Sequence, residues 1–169
     1  MSDRIPAASS GWRWLPLALV LLVIDQVTKW LAVRSIELHD SIRILPVLDF
    51  IHAHNTGAAF SFLAGAGGWQ RWFFAGLALA VSAAIIFYLR RLDGRLQRLQ
   101  CAGLALIASG AVGNLIDRLR LGFVEDFVHV HWGNAYFPAF NVADSCITIG
   151  AGLIILDSLL EARRSRVVT

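Results

Sequence analysis

Long apolar segments interrupted by short polar ends recur four times along the chain. They cover about 14–33 (WLPLALVLLVIDQVTKWLAV), 72–89, 99–117 and 141–160. A bilayer core of about 30 Å takes roughly 20 mostly apolar helical residues, so each segment predicts a membrane-spanning helix. The connections 34–71 and 119–140 show a different period. LGFVEDFVHVHWGNAYFPAF (121–140) alternates through Phe123, Glu125, Phe127, His129 and His131, which predicts a short strand pair. DFIHAHNTGAAFSF (49–62) is a second strand-like run, broken by the turn signal Asn55-Thr56-Gly57. The expected fold is an all-α membrane protein: a four-transmembrane-helix bundle, one domain over 1–169, with a small β element on one side.

Composition agrees and narrows the class. Of 169 residues, 57% are hydrophobic and 16% charged, and the mean hydropathy is +0.62, which is too apolar for an ordinary soluble domain. The first segment could pass for a secretory signal. Its apolar run is longer than such a region, it holds Asp25 and Lys29, and LAVRSIE lacks an A-x-A cleavage site, so it reads as a retained span. Cys101 and Cys146 lie in apolar stretches and read as buried, inert thiols. The net charge is only +3, and no basic stripe interleaved with aromatics is present, so nucleic acid is not an expected partner.

Arginine placement orients the spans. Four spans put both termini on one side, which carries Arg4, Arg13, Arg90, Arg91, Arg95, Arg98, Arg163, Arg164 and Arg166. The other side carries Arg34, Arg43, Arg71, Arg118 and Arg120. The excess predicts cytoplasmic termini and outward-facing long connections, with Trp69, Trp72 and Trp132 at the outer interface.

The polar residues inside the spans collect at one depth. Asp25 and Lys29 lie in the outer half of the first span, Asn114, Asp117 and Arg118 at the outer end of the third, and Asn141 and Asp144 at the outer end of the fourth. An ionised carboxylate at a helix centre costs about 2.5–3.5 kcal/mol on insertion scales, so such residues are paired, placed at an edge or used. Asp25 and Lys29 are spaced i,i+4 with the acid first, the better order for a helical ion pair. Asn114 and Arg118 are i,i+4, and Asn141 and Asp144 are i,i+3, so each pair shares a face. Singly, these pairs read as helix-end or helix-gluing residues. Together at one depth they predict an outward-opening polar chamber. Asp126 approaches that chamber from the apolar face of its strand, beside Val124, Val128 and Val130.

Two carboxylates in one chamber, Asp126 and Asp144, share a proton, so one can act as acid and the other as base. That pairing can activate water against a peptide carbonyl and protonate the leaving amine, with Asn114 and Arg118 orienting the substrate. A binding chamber for ions stays open on residue type alone, as does a role in assembly. A serine mechanism lacks a base beside Ser109, since all five histidines lie in outer connections. No H-E-x-x-H is present, and the pairs His52/His54 and His129/His131 are alternate strand positions that share a face by default. Neither a metal nor a cofactor is expected.

GNLIDR (113–118), VEDF (124–127), FNVADS (140–145), DQVTKW (25–30) and HNTGAAFS (54–61) together resemble the lipoprotein signal peptidases, the type II signal peptidases of bacteria. The resemblance covers about 14–160. It implies an aspartic endopeptidase of the cytoplasmic membrane that removes signal peptides from diacylglyceryl-modified prolipoproteins, cutting just before the lipidated cysteine. It implies Asp126 and Asp144 as the catalytic pair. Asn55, Gly57, Asn114, Arg118, Asn141 and Ala143 would bind substrate or support the pair, and Asp25, Lys29 and Asp117 would be structural polar residues. Pairing with Arg118 or Arg120 would account for Asp117, and Glu125 has no assigned role. The resemblance also implies outer β-structure with a short amphipathic helix, prolipoprotein and membrane lipid as partners, and a monomer. The alternative is an ion- or proton-coupled transporter using the same chamber.

Overall fold

A computed structural model describes residues 9–57, 63, 65–133 and 135–167. Arg4 and residues 58–61 of the HNTGAAFS motif lie outside them. The elements run α1 (Leu15–Ser35), β1 (Ser41–Leu45), β2 (Leu48–Asn55), α2 (Trp69–Leu89), α3 (Arg98–Arg120), β3 (Val124–Trp132), β4 (Ala135–Tyr136) and α4 (Val142–Val167). A single 3-10 turn, Gly11–Trp14, leads into α1. All four helices are long and apolar enough to cross a membrane.

Burial in α1 is inverted relative to a soluble helix. Its two buried residues are Asp25 and Lys29, while Leu19, Val20, Val23 and Trp30 are more than half exposed. Lipid solvates the apolar side chains, so only the charged pair gains by turning inward. The helix it turns toward is α3, which packs against α1, α2 and α4. Small residues make that central position possible. A Cβ on Gly103 would stand 2.7 Å from the Gly150 carbonyl oxygen, and one on Gly150 would stand 2.5 Å from that of Gly103. Close backbone approach replaces the hydrophobic drive that lipid cannot supply.

The outer connections are joined to each other. The expected strand pair within 121–140 exists as β3 with the two-residue β4, but the principal partner of β3 is β2 from the other connection. The sheet order is β1-β2-β3-β4, antiparallel throughout, with Ala53 opposite Asp126 and His54 opposite Glu125. Residues 56–57, 63 and 65–68 form turns and irregular chain, so the short outer helix implied by the resemblance is not among the described residues of that connection. Trp69, Trp72 and Trp132 are exposed at this sheet-bearing end.

Candidate active site

Gly122 brings the strand carrying Asp126 directly off the end of α3. Its φ of +95° lies where a residue with a Cβ is strained, and it follows the helix C-cap Leu121, the usual glycine stop. Its N–H donates to the Arg118 carbonyl at 3.2 Å. Asp126 follows four residues later, between Glu125 and Phe127 in β3.

The start of α4 is held beside the same strand. The Phe140 carbonyl accepts from the Phe127 and Val128 N–H groups at 3.1 and 2.8 Å, and its own N–H donates to the Val128 carbonyl at 3.0 Å. Asn141 therefore enters the site as the residue before α4, and its side chain does two jobs. Its Oδ1 accepts from the Asp144 N–H at 2.9 Å, capping an N–H with no partner inside the helix. Its Nδ2 donates to Asp126 Oδ1 at 2.7 Å. A single fully buried amide thus links the two aspartates. The preceding N–H of the first turn, that of Ala143, donates to Asp25 Oδ1 at 2.8 Å. Ala143 contributes its backbone and its small size, since its carbonyl faces Gly110 and its Cβ faces Gly113.

Each aspartate has a second amide. Asn55 Nδ2 donates to Asp126 Oδ2 at 3.0 Å, and Asn114 Nδ2 donates to Asp144 Oδ1 at 2.8 Å. The amides are themselves oriented. Asn55 Oδ1 accepts from the Gly57 N–H at 3.0 Å, and the Gly57 carbonyl accepts from Arg118 Nη2 at 2.6 Å. Arg118 also lies over the Phe74 ring, 5.2 Å from its centroid. Asn114 Oδ1 accepts from Lys29 Nζ at 3.0 Å. Burial, and then the charge of Asp144, push the Asp126 carboxyl up to about 7, so it keeps a proton near neutral pH.

Lys29 ties the deeper layer. Its Nζ lies 2.9 Å from Asp25 Oδ2 and 2.7 Å from Asp117 Oδ2, the latter an ion contact without good hydrogen-bond angles. The expected i,i+4 pair is present. The expected partners of Asp117 are not: it pairs with Lys29 across the α1–α3 interface instead of with Arg118 or Arg120. The reason is the docking of α1, which delivers an ammonium to the buried face of α3 where Asp117 is only 4% exposed. Gln26, which sequence reasoning left without a role, donates to Asp25 Oδ2 and Asp117 Oδ1, each at 3.1 Å. Its position inside DQVTKW was the available signal.

A cavity of about 720 Å³ opens beside the pair, lined by Asn55, Asn114, Arg118 and Asp144 on its polar side and elsewhere by α2, α3, α4, Val124 and Phe137–Phe140. Asp126 is not among the lining residues, and Asn55 holds it behind the wall. The cavity can hold a water and an extended peptide against Asp144, with Asp126 one amide away behind Asn55, and its apolar flank suits a lipid-soluble segment.

The family model described as signal peptidase (SPase) II matches residues 17–160. The lipoprotein signal peptidase of Pseudoalteromonas translucida (strain TAC 125) is 47% identical over 152 residues, covering 90% of this chain and 91% of that protein. That of Acinetobacter baumannii (strain ATCC 17978) is 49% identical over 154 residues, covering 90% and 87%. A bacterial membrane enzyme solved by the in meso method at 2.3 Å superposes with a TM-score of 0.76 at 32% identity, over 86% of each chain. These likenesses lend the transporter alternative no support.

Proposed function

The chain belongs to the signal peptidase II family, and from that premise we propose how its residues perform the reaction. It is a multi-pass bacterial membrane protein and an aspartic-type peptidase that cleaves signal peptides from prolipoproteins. Asp126 and Asp144 are the catalytic pair. The observation that carries the assignment is the Asn141 amide, which caps Asp144 and donates to Asp126. Asp144, lining the cavity, takes a proton from water as the water oxygen attacks the scissile carbonyl. Asp126, holding a proton up to about pH 7, reaches the carbonyl oxygen once substrate displaces the Asn55 amide that separates it from the cavity, and gives its proton to the tetrahedral intermediate. When the C–N bond breaks, the proton held by Asp144 passes to the leaving amine and one diol O–H returns its proton to Asp126, which restores the starting state.

The bond cut is the one just before a diacylglyceryl-modified cysteine, whose acyl chains stay in lipid while the signal peptide lies along the apolar flank. Asn55, Gly57, Asn114, Arg118, Asn141 and Ala143 hold the pair and the substrate, and Asp25, Lys29 and Asp117 brace the helices beneath. The arginine distribution supports cytoplasmic termini and a site near the periplasmic face. One chain, acting as a single domain, carries all of these groups.

The test is a gel-shift assay in detergent micelles with a diacylglyceryl-modified prolipoprotein and a chelator throughout. Wild type cleaves, while Asp126→Asn and Asp144→Asn, checked as folded by their unfolding transitions, do not. Cleavage surviving in either variant would refute the pair.

A further inference from the structure

Behind the strand face that carries Asp126, β2 and β3 gather a second cluster that peptide cleavage does not use. Residues alternate faces along a strand. Glu125 pairs in register with His54 and Asp126 with Ala53, so Glu125, His52 and His54 occupy the face opposite Asn55 and Asp126. One ligand atom from each of the three lies within 4.8 Å of the other two. His52 Nε2 is 3.1 Å from Glu125 Oε2, and His54 Nε2 is 3.6 Å from Glu125 Oε1.

The hydrogen bond of His52 defines what its other nitrogen offers. Nδ1 lies 3.0 Å from the Ile36 carbonyl oxygen, which can only accept, so Nδ1 carries the proton. In a neutral ring, Nε2 then turns a lone pair on a carboxylate, at residues only 8% and 6% exposed. Lone pairs so opposed need a cation between them or a second proton on the ring.

Three features favour a metal cation. An Nδ1–H bond to a backbone carbonyl is the outer contact that orients metal-ligating histidines. The His54 ring is held by stacking on Phe123, with centroids 3.8 Å apart and planes 19° from parallel. Finally, the two rings approach the carboxylate at 3.1 and 3.6 Å, one on each oxygen, close to the roughly 3.3 Å spacing of ligand atoms around a tetrahedral ion with about 2.0–2.1 Å bonds.

We propose that His52, His54 and Glu125 form a binding site for a first-row divalent transition-metal ion, zinc foremost, that clamps β2 to β3 behind the catalytic strand. Two imidazoles and one carboxylate suit zinc better than magnesium or calcium. The His54 side chain, 30% exposed, provides entry and room for water as a fourth ligand. The ion takes no part in cleavage, because Glu125 and Asp126 face opposite ways; it stiffens the two strands that present Asn55 and Asp126. This revises the expectation of no metal drawn from strand alternation.

The experiment uses untagged full-length protein in micelles, stripped with chelator, dialysed free of it and titrated calorimetrically with Zn²⁺. Binding of one zinc per chain is expected, and Co²⁺ should give the visible absorption of a four-coordinate site. His54→Ala removes the most exposed ligand, leaves the His52–Glu125 contact in place and should weaken binding by at least about 10–100-fold, the loss seen even for an outer-shell partner. His129→Ala, whose ring stacks on Tyr136 at 5.4 Å, should bind as wild type. No zinc uptake by wild type, or equal uptake by His54→Ala (an adventitious ion only), would overturn the site. Neither readout depends on peptidase activity.

Discussion

Replacing Lys29 by methionine keeps the length and apolar stem of the side chain and deletes its ammonium. In the native structure that ammonium lies 2.9 Å from Asp25 Oδ2, 2.7 Å from Asp117 Oδ2 and 3.0 Å from Asn114 Oδ1. The three charged side chains are 4%, 1% and 5% exposed. The variant leaves two buried carboxylates facing each other without the cation. Removing one partner of a buried pair costs about 3–5 kcal/mol, which is roughly a hundredfold to a few thousandfold in the folded-to-unfolded ratio. Activity should fall as well, because Asn114 Oδ1 loses its nearer donor and keeps only the 3.4 Å contact from Asn141 Nδ2, so the Asn114 amide holds Asp144 less firmly. Unfolding of the micelle-bound protein, followed by tryptophan fluorescence, measures the loss. Adding Asp117→Asn removes the surplus charge and should recover about 1–3 kcal/mol, the usual coupling within one network. Asp25 must stay, since its Oδ1 accepts from the Ala143 N–H of α4. A single variant within about 0.5 kcal/mol of wild type, the range of an ordinary surface change, would refute the reasoning. So would a double variant no more stable than the single.

Three further outcomes follow from the same geometry. Arg118→Lys cannot bridge the Gly57 and Asn114 carbonyls, contacted by Arg118 at 2.6 and 3.4 Å, so Asn55 loosens and turnover drops about a hundredfold; unchanged kcat/KM would sink this. Cleavage needing the Asp126 proton falls on the alkaline side, to half at about pH 7, because burial and Asp144 raise that carboxyl to about 7. Asn141→Ala deletes a donor that favours the ionised form, so that falling limb should move to higher pH while kcat decreases. A pH–rate profile taken in chelator reads the shift, and an unmoved limb contradicts it. Gly150→Ala would force a Cβ to within 2.5 Å of the Gly103 carbonyl oxygen and should cost about 1–3 kcal/mol of unfolding free energy. Gly152→Ala, with open space around its Cβ, serves as the control and should lose none.

The parts of this protein legible in its sequence are those governed by local and additive physics. Span length and hydropathy alone decide that α1–α4 cross a membrane, because a helix satisfies its own backbone in lipid. Depth follows from counting residues along each helix, so Asp25, Asn114, Asn141 and Asp144 could be assigned to one layer before any helix was docked. Strand parity separated Asp126 from Glu125. The motifs carried the family resemblance, and the family match over 17–160 bears it out.

What only the tertiary structure decided is which polar atom meets which. Asp117 had two arginines nearby on its own helix and pairs with Lys29 from another, since an ion pair forms where docking excludes water. The link between the aspartates runs through both ends of the Asn141 amide, one serving a helix end and the other a strand brought alongside it. His52 and Glu125, 73 residues apart, meet because β2 and β3 pair across two separate connections. Spacing along a chain determines which face a residue occupies. The partner on that face is supplied by another element, and its position depends on how the helices and sheet pack together.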